Sequence, residues 1–250
     1  MKNINYCVKP KMNASHLDLG ELVQTMADIV KEEFEIDGID MPKIEFMKSS
    51  EELNVKIPPL FYGLYFPREH IISIPPIYST DFKIEALAEE VAHSYTMTYR
   101  RRHKLDDLDS LVKSVDEFFG MLGRLVVCER LKGTKYEPFL DEDFNKPIPM
   151  ERIEETLKHM YPVKPMEDVS AESQMFSTFS FPSDVSHKIG YDGAFKAIEE
   201  VKENKTTLKE LLDMPEHEIE ESYFRITKSK INKLIAKYRS AYAEYLEQHN

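Results

Sequence analysis

The sequence predicts a mostly helical α+β protein, with a small β-sheet that precedes one central helix. Two observations predict this class. Over most of the chain, apolar residues recur every three or four positions, which is the period of an amphipathic helix. Three short runs precede the central helix, at 43–47, 62–66 and 70–74. They contain β-branched and aromatic residues, have the length of strands, and are bounded by Gly, Pro or a turn.

The apolar periodicity also gives the order of the helices. It predicts helices at 16–35, 82–100, 106–132, 150–161, 183–204, 206–214 and 216–247, the last being one helix or two. The second and third strands are close enough in sequence to pair as a hairpin.

A soft domain boundary falls at the Pro-containing stretch after Tyr161. Residues 1–161 are predicted to form a core that holds the sheet and two motif helices. Residues 162–250 are predicted to be helical and to pack on that core, unless the chain is a single domain.

Composition excludes several classes of function. The formal net charge of −12 argues against nucleic acid as a partner, because phosphate binding requires clustered Lys and Arg. No apolar stretch is long enough to span a bilayer, so we expect no membrane partner. The two cysteines form no ligand pair and the N-terminus has no apolar signal region, which together predict a reduced, cytoplasmic setting.

The helix predicted at 82–100 carries the residues with the strongest chemical signal. Glu89 and His93 are four positions apart and therefore lie on the same side of the helix, one turn from each other, with Glu90 beside them. One interpretation is an exposed ion pair on a helix surface. The other is a metal site, because Glu and His are both common metal ligands.

The residues Glu89-Glu90-Val91-Ala92-His93 resemble the H-E-x-x-H motif of zincin metallopeptidases, with the first histidine replaced by glutamate. The segments 62–67 and 70–76 resemble the edge-strand region before the active-site helix of that superfamily. Val115-Asp116-Glu117-Phe118-Phe119-Gly120 resembles the second helix of the gluzincin branch, whose glutamate is the third zinc ligand. The resemblance covers roughly residues 44–130.

The resemblance implies a set of site residues. Glu89, His93 and Glu117 occupy the metal-ligand positions, and Glu90 occupies the position of the general base.

Two residues further along the chain are also candidates for catalysis. His187 and Tyr191 resemble the His or Tyr that steadies the oxyanion in gluzincins, and the alternative is that both simply fill space in a packed helix.

Glutamate at position 89 changes the expected chemistry. A second carboxylate neutralises a divalent ion and makes the ligand set harder, which favours zinc less and ions such as manganese more. We therefore expect a zincin-like protein with reduced or lost peptidase activity that binds a peptide or protein in a cleft, with one divalent ion or none. An active metallohydrolase that uses the Glu, His, Glu set is the alternative.

A second alternative belongs to another class of protein. Glu90-x-x-His93 and Asp184-x-x-His187, with Glu117 and Glu21, have the residue types of a di-metal carboxylate site in a helical bundle.

Overall fold

A computed structural model describes most of the chain. The described residues are 17–46, 63–76, 82–105, 114–141, 145–162 and 171–249, with the backbone alone at 171–180 and 249. Of these residues, 70% are helical and a small part forms a three-stranded sheet, so the α+β class is confirmed.

The elements follow the predicted order. The helices are α1 (Leu19–Phe34), α2 (Ile84–Arg102), α3 (Ser114–Leu131), α4 (Met150–Met160), α5 (Ala171–Lys202), α6 (Leu208–Asp213), α7 (Glu216–Ile219) and α8 (Arg225–His249). The strands are β1 (Lys43–Phe46), β2 (Leu64–Phe66) and β3 (Ile71–Ile74). A 3₁₀ turn at Glu137–Phe139 and a π-helical segment at Glu220–Phe224 complete the list.

The sheet has the strand order β1-β3-β2. β2 and β3 pair antiparallel, as the hairpin prediction requires, and β1 pairs parallel with β3. Tyr65 lies opposite Ile72 and both are buried, whereas Leu64 and Phe66 are exposed on the other face of β2. His70 was predicted to be a strand residue, but it ends the hairpin turn with a φ of 55°.

The chain divides into two compact units by contacts between its residues. The first comprises Met1–Tyr95 and Gly123–Asn145. Its described part contains α1, the sheet, the N-terminal portion of α2 and the C-terminal portion of α3. Its core is built from fully buried aliphatic and aromatic side chains, among them Leu22, Met26, Phe34, Ile72, Leu87, Val91 and Val127.

The second unit comprises Thr96–Leu122 and Lys146–Asn250. Its core includes Phe118, Phe119, Ile153, Leu157, Leu211, Phe224 and Ile231. Arg100 is buried there, and its guanidinium donates to the carbonyl oxygens of Leu212 at 2.8 Å and Met214 at 2.9 Å. This side chain therefore satisfies carbonyl groups at the C-terminal end of α6.

One helix prediction was wrong in detail. A helix was predicted to begin at Ser183 because Pro182 precedes it, but α5 runs from Ala171 through Pro182. Proline removes one main-chain donor and commonly ends or kinks a helix, so the continuous α5 departs from the local signal at Pro182. The final predicted stretch, expected to be one helix or two, contains the two helices α7 and α8. The π-helical segment between them carries the buried Tyr223 and Phe224. No described helix has the length and apolar character needed to cross a membrane.

Candidate metal centre

Three predicted ligand residues come together in the structure. Glu89 and His93 on α2 and Glu117 on α3 each offer one ligand atom, and these atoms all lie within 4.8 Å of one another. Within the part of the chain that the structure describes, this is the group of His, Cys, Asp and Glu side chains that can hold a metal ion.

Helix α2 is buried around most of its circumference. The apolar residues Leu87, Ala88 and Val91 are buried on one face of the helix. Glu89 and His93, on the face with the motif, are buried as well. Glu89 is 7% exposed and His93 is 8% exposed. These values contradict the interpretation of Glu89 and His93 as an exposed ion pair on the surface of a helix.

The first ligand position has a cationic partner. Nη1 of Arg124, on α3, donates to Oε2 of Glu89 at 2.8 Å. Arg124 is only 2% exposed, so both charges of the pair are buried. Burying a charge is costly unless it is paired, and the pair explains how a carboxylate can occupy this position in the core.

Glu90 lies beside the sheet. A Cβ atom placed on Gly63 would come within 2.7 Å of Cγ of Glu90, so the glutamate side chain rests against the main chain immediately before β2. A side chain at position 63 would compete with Glu90 for this space. The predicted general base is therefore next to an outer strand of the described sheet.

The third ligand position is supported from α5. Nε2 of His187 lies 3.1 Å from Oε2 of Glu117, and Nδ1 of His187 lies 2.7 Å from the carbonyl oxygen of Ser183. The carbonyl oxygen and the carboxylate oxygen can both only accept, so each contact is a hydrogen bond when the nitrogen that faces it carries a proton. The Tyr191 ring stands edge-on to the His187 ring, with 5.5 Å between centroids.

The structure thus places the two catalytic candidates on α5 differently from each other. His187 contacts a ligand residue directly, and the buried Tyr191 contacts the imidazole of His187 edge to face. A role for either in oxyanion binding stays a prediction.

Two close helix contacts hold these side chains in place. A Cβ on Gly123 would lie 2.3 Å from Cβ of Ala92, the residue before His93. A Cβ on Gly190 would lie 2.6 Å from Cβ of Glu117 and 2.7 Å from the main-chain oxygen of Ser114. Glycine lets two helices approach to main-chain distance, so each contact fixes the position of the neighbouring ligand residue.

The residues of the di-metal alternative assemble only in part, since His93, Glu117 and His187 come together without the other carboxylates. Glu21 lies on the surface and pairs with Lys135 at 2.6 Å, and Asp184 pairs with Arg152 at 3.1 Å. Neither belongs to the group formed by the three predicted ligands.

Arg124 was missed as a site residue, although the sequence contains a signal for it. It is the one charged residue between Phe118 and Cys128, a stretch otherwise typical of a buried helix. A lone charge in such a stretch requires a partner of opposite charge. The sequence does not reveal which carboxylate that partner is.

No family model matches this chain, and neither a curated protein nor a solved structure does so. Any functional interpretation therefore depends on the residues of the site.

The donor set is chemically suitable for a divalent ion. Bonds of about 2.0–2.2 Å to a tetrahedral zinc place ligand atoms roughly 3.3–3.6 Å apart. The three ligand atoms lie within 4.8 Å of one another, so a movement of about 1 Å would bring them to bonding distance. Two carboxylate oxygens and one imidazole nitrogen suit zinc and also harder ions such as manganese.

Proposed function

We propose that this protein is a zincin-like, gluzincin-type metal-binding protein with reduced or lost peptidase activity. The observation that carries the proposal is the convergence of Glu89, His93 and Glu117, which come from two helices and lie 28 positions apart at the extremes (117 − 89 = 28). Residues so distant in sequence have no local reason to share a buried site. All three also match the ligand positions that the resemblance implies.

The site residues have distinct proposed roles. Glu89, His93 and Glu117 would hold the ion, which when bound supplies a positive charge that polarises a carbonyl or a water molecule. Glu90, which follows the first ligand residue and lies against Gly63, would accept and return a proton. His187 orients Glu117 through its Nε2 atom.

The reduced activity follows from the first ligand position. Oε2 of Glu89 accepts a hydrogen bond from Nη1 of Arg124, so this oxygen is already committed. A carboxylate that is shared with a guanidinium is a weaker ligand than a free imidazole. We infer that the ion is held less tightly than in a site with two histidines and one glutamate.

A peptide or a protein segment is the partner that this arrangement suits best. β2 is an outer strand of the described sheet, and it begins next to Glu90. An extended chain can pair with the main chain of such a strand. An active metallohydrolase is the second candidate, and the position of Glu90 beside β2 is the observation that favours it.

Elemental analysis tests the proposal. The protein should retain one divalent ion per chain after incubation with zinc or manganese and removal of excess ion. His93→Gln and Glu117→Gln should lose it, whereas His217→Gln, which alters a histidine on an exposed part of the second unit, should retain it. A wild-type chain that folds but binds neither ion would overturn the proposal.

Peptide hydrolysis separates the two candidates. Protein loaded with zinc or manganese is incubated with a mixture of unstructured peptides. No cleavage above that of Glu90→Gln supports a protein that has lost its activity. Cleavage that Glu90→Gln abolishes without loss of bound metal identifies an active hydrolase.

A further inference from the structure

The pairing of Arg124 with Glu89 changes the charge of the candidate metal centre. A site with two histidines and one glutamate carries −1 when the imidazoles are neutral. The set Glu89, His93, Glu117 would carry −2, but the guanidinium of Arg124 contributes +1, so the four side chains together carry −1. The total is therefore the same as in the histidine-containing site.

The geometry makes Arg124 part of the site. Its Nη1 lies 2.8 Å from Oε2 of Glu89, so a hydrogen bond from the guanidinium engages this carboxylate oxygen. Both side chains are almost fully buried, so solvent screens their interaction poorly. The contact is also independent of surface ion pairs such as that of Arg130, which lies on the same helix but is exposed.

We propose that Glu89 and Arg124 act together as an electrically neutral replacement for a histidine ligand, and that Arg124 thereby sets the choice of ion. With Arg124 present, Glu89 binds as a single-oxygen, charge-compensated ligand, and the site retains zinc. Without Arg124, Oε2 is released from its hydrogen bond and Glu89 can bind through two hard oxygens, which favours manganese. This inference rests on the proposed metal site and names a specificity-determining residue within it.

The experiment compares wild type with Arg124→Met, Glu89→His and the double variant Glu89→His/Arg124→Met. Affinities for zinc and for manganese are measured by competition with a chromophoric chelator, and thermal unfolding is followed with and without each ion. Arg130→Met is the matched control, because it removes an exposed arginine from the same helix.

Removing Arg124 alone should raise the ratio of manganese affinity to zinc affinity by about tenfold or more, because Oε2 of Glu89 is released as an additional hard oxygen ligand. The lost positive charge should strengthen the binding of both ions alike. Added manganese should also stabilise Arg124→Met more than wild type, because the ion becomes the counter-charge of Glu89. Arg130→Met should change neither quantity. An unchanged affinity ratio in Arg124→Met would overturn the inference.

The double variant keeps the test decisive if a single variant fails to fold. Each single substitution leaves one buried charge without its partner, whereas the double variant buries neither. We expect the double variant to fold, to prefer zinc, and to bind zinc at least about tenfold more tightly than Glu89→His, in which Arg124 repels the ion. Equal zinc affinity in these two variants would also overturn the inference.

Failure of the inference and failure of the proposed site are distinguishable. If wild type binds an ion but Arg124→Met has the same ratio of manganese affinity to zinc affinity, the inference fails and the metal site stands. If folded wild type and all variants bind neither zinc nor manganese, both fail.

Discussion

Gly190 on α5 lies directly against the Glu117 position on α3. A Cβ atom at Gly190 would come within 2.6 Å of Cβ of Glu117 and within 2.7 Å of the main-chain nitrogen of Phe118. Two of the atoms it would meet belong to the main chain, which cannot move aside as a flexible side chain can. The third ligand residue is therefore positioned by a contact that admits only glycine.

We predict that Gly190→Ala destabilises the protein. The added methyl group must separate α5 from α3, and overpacking of this kind costs about 1–3 kcal/mol. The measurement is the free energy of unfolding from urea denaturation. Gly20→Ala is the control, because a Cβ there makes only an ordinary 3.4 Å contact and the residue is exposed on α1. Equal stability of the Gly190→Ala variant and wild type would contradict the close contact.

The contact between Gly123 and Ala92 permits a test by exchange. Gly123→Ala should destabilise the protein, since its Cβ would lie 2.3 Å from that of Ala92. Adding Ala92→Gly removes the Cβ atom with which the new methyl group clashes. The double variant Gly123→Ala/Ala92→Gly should therefore recover part of the lost free energy of unfolding. The recovery appears as a coupling free energy in the double-mutant cycle. Additive effects of the two substitutions would show that these atoms do not meet.

Most of the fold could be predicted because it is encoded in local patterns. The three- and four-residue spacing of Ile84, Leu87, Val91 and Tyr95 predicts helix α2. The β-branched run between a turn and two prolines predicts strand β3. Such signals need no knowledge of the neighbours. The predicted ligand set also came from spacing and resemblance within the sequence.

The remaining features depend on contacts between distant residues. Spacing alone left open whether Glu89 is exposed or buried, because a helix can be covered on one face or on all faces. The partner of Arg124 and the support of Glu117 by His187 are set by packing across 35 and 70 positions (124 − 89 and 187 − 117). The passage of α5 through Pro182 is likewise a tertiary effect that overrides a local signal.

Cys128 should be unreactive in the folded protein. Burial, together with the nearby Glu85 and Glu89 carboxylates, raises the pKa of its thiol to about 11. The thiolate is the reactive species. At pH 8 the ionised fraction of the Cys128 thiol in the folded protein should be roughly a hundredfold below that of an exposed cysteine.

The test uses a Cys7→Ser variant, in which Cys128 is the remaining thiol. A chromogenic disulfide reagent should modify it slowly in buffer and rapidly in urea. Rapid modification without urea would show that the side chain is accessible.

A pH-dependent contribution to stability is expected from Glu85, one turn before Glu89 on α2. The side chain is 0% exposed, and Oε1 accepts a hydrogen bond from the main-chain nitrogen of Asp141. Desolvation by burial raises the pKa of Glu85 above its ordinary value of 4.5, and the hydrogen bond from Asp141 opposes this only in part.

The sign of the effect follows from the raised pKa. The folded state keeps a proton that the unfolded state loses near pH 4.5, so the contribution of Glu85 to stability is full below that pH. It is lost as the pH rises through the pKa of the folded state. Each unit by which this pKa is raised makes wild type about 1.4 kcal/mol less stable at neutral pH than at pH 4.

Glu85→Gln cannot ionise, and its amide oxygen can still accept from Asp141. The free energy of unfolding of the variant, relative to wild type, should therefore increase between pH 4.5 and neutral pH and then level off. Urea denaturation across this range measures the difference, with the exposed Glu129→Gln as the matched control that should show no such rise. A relative stability of Glu85→Gln that is constant with pH would mean that Glu85 ionises in the folded protein as it does in the unfolded chain.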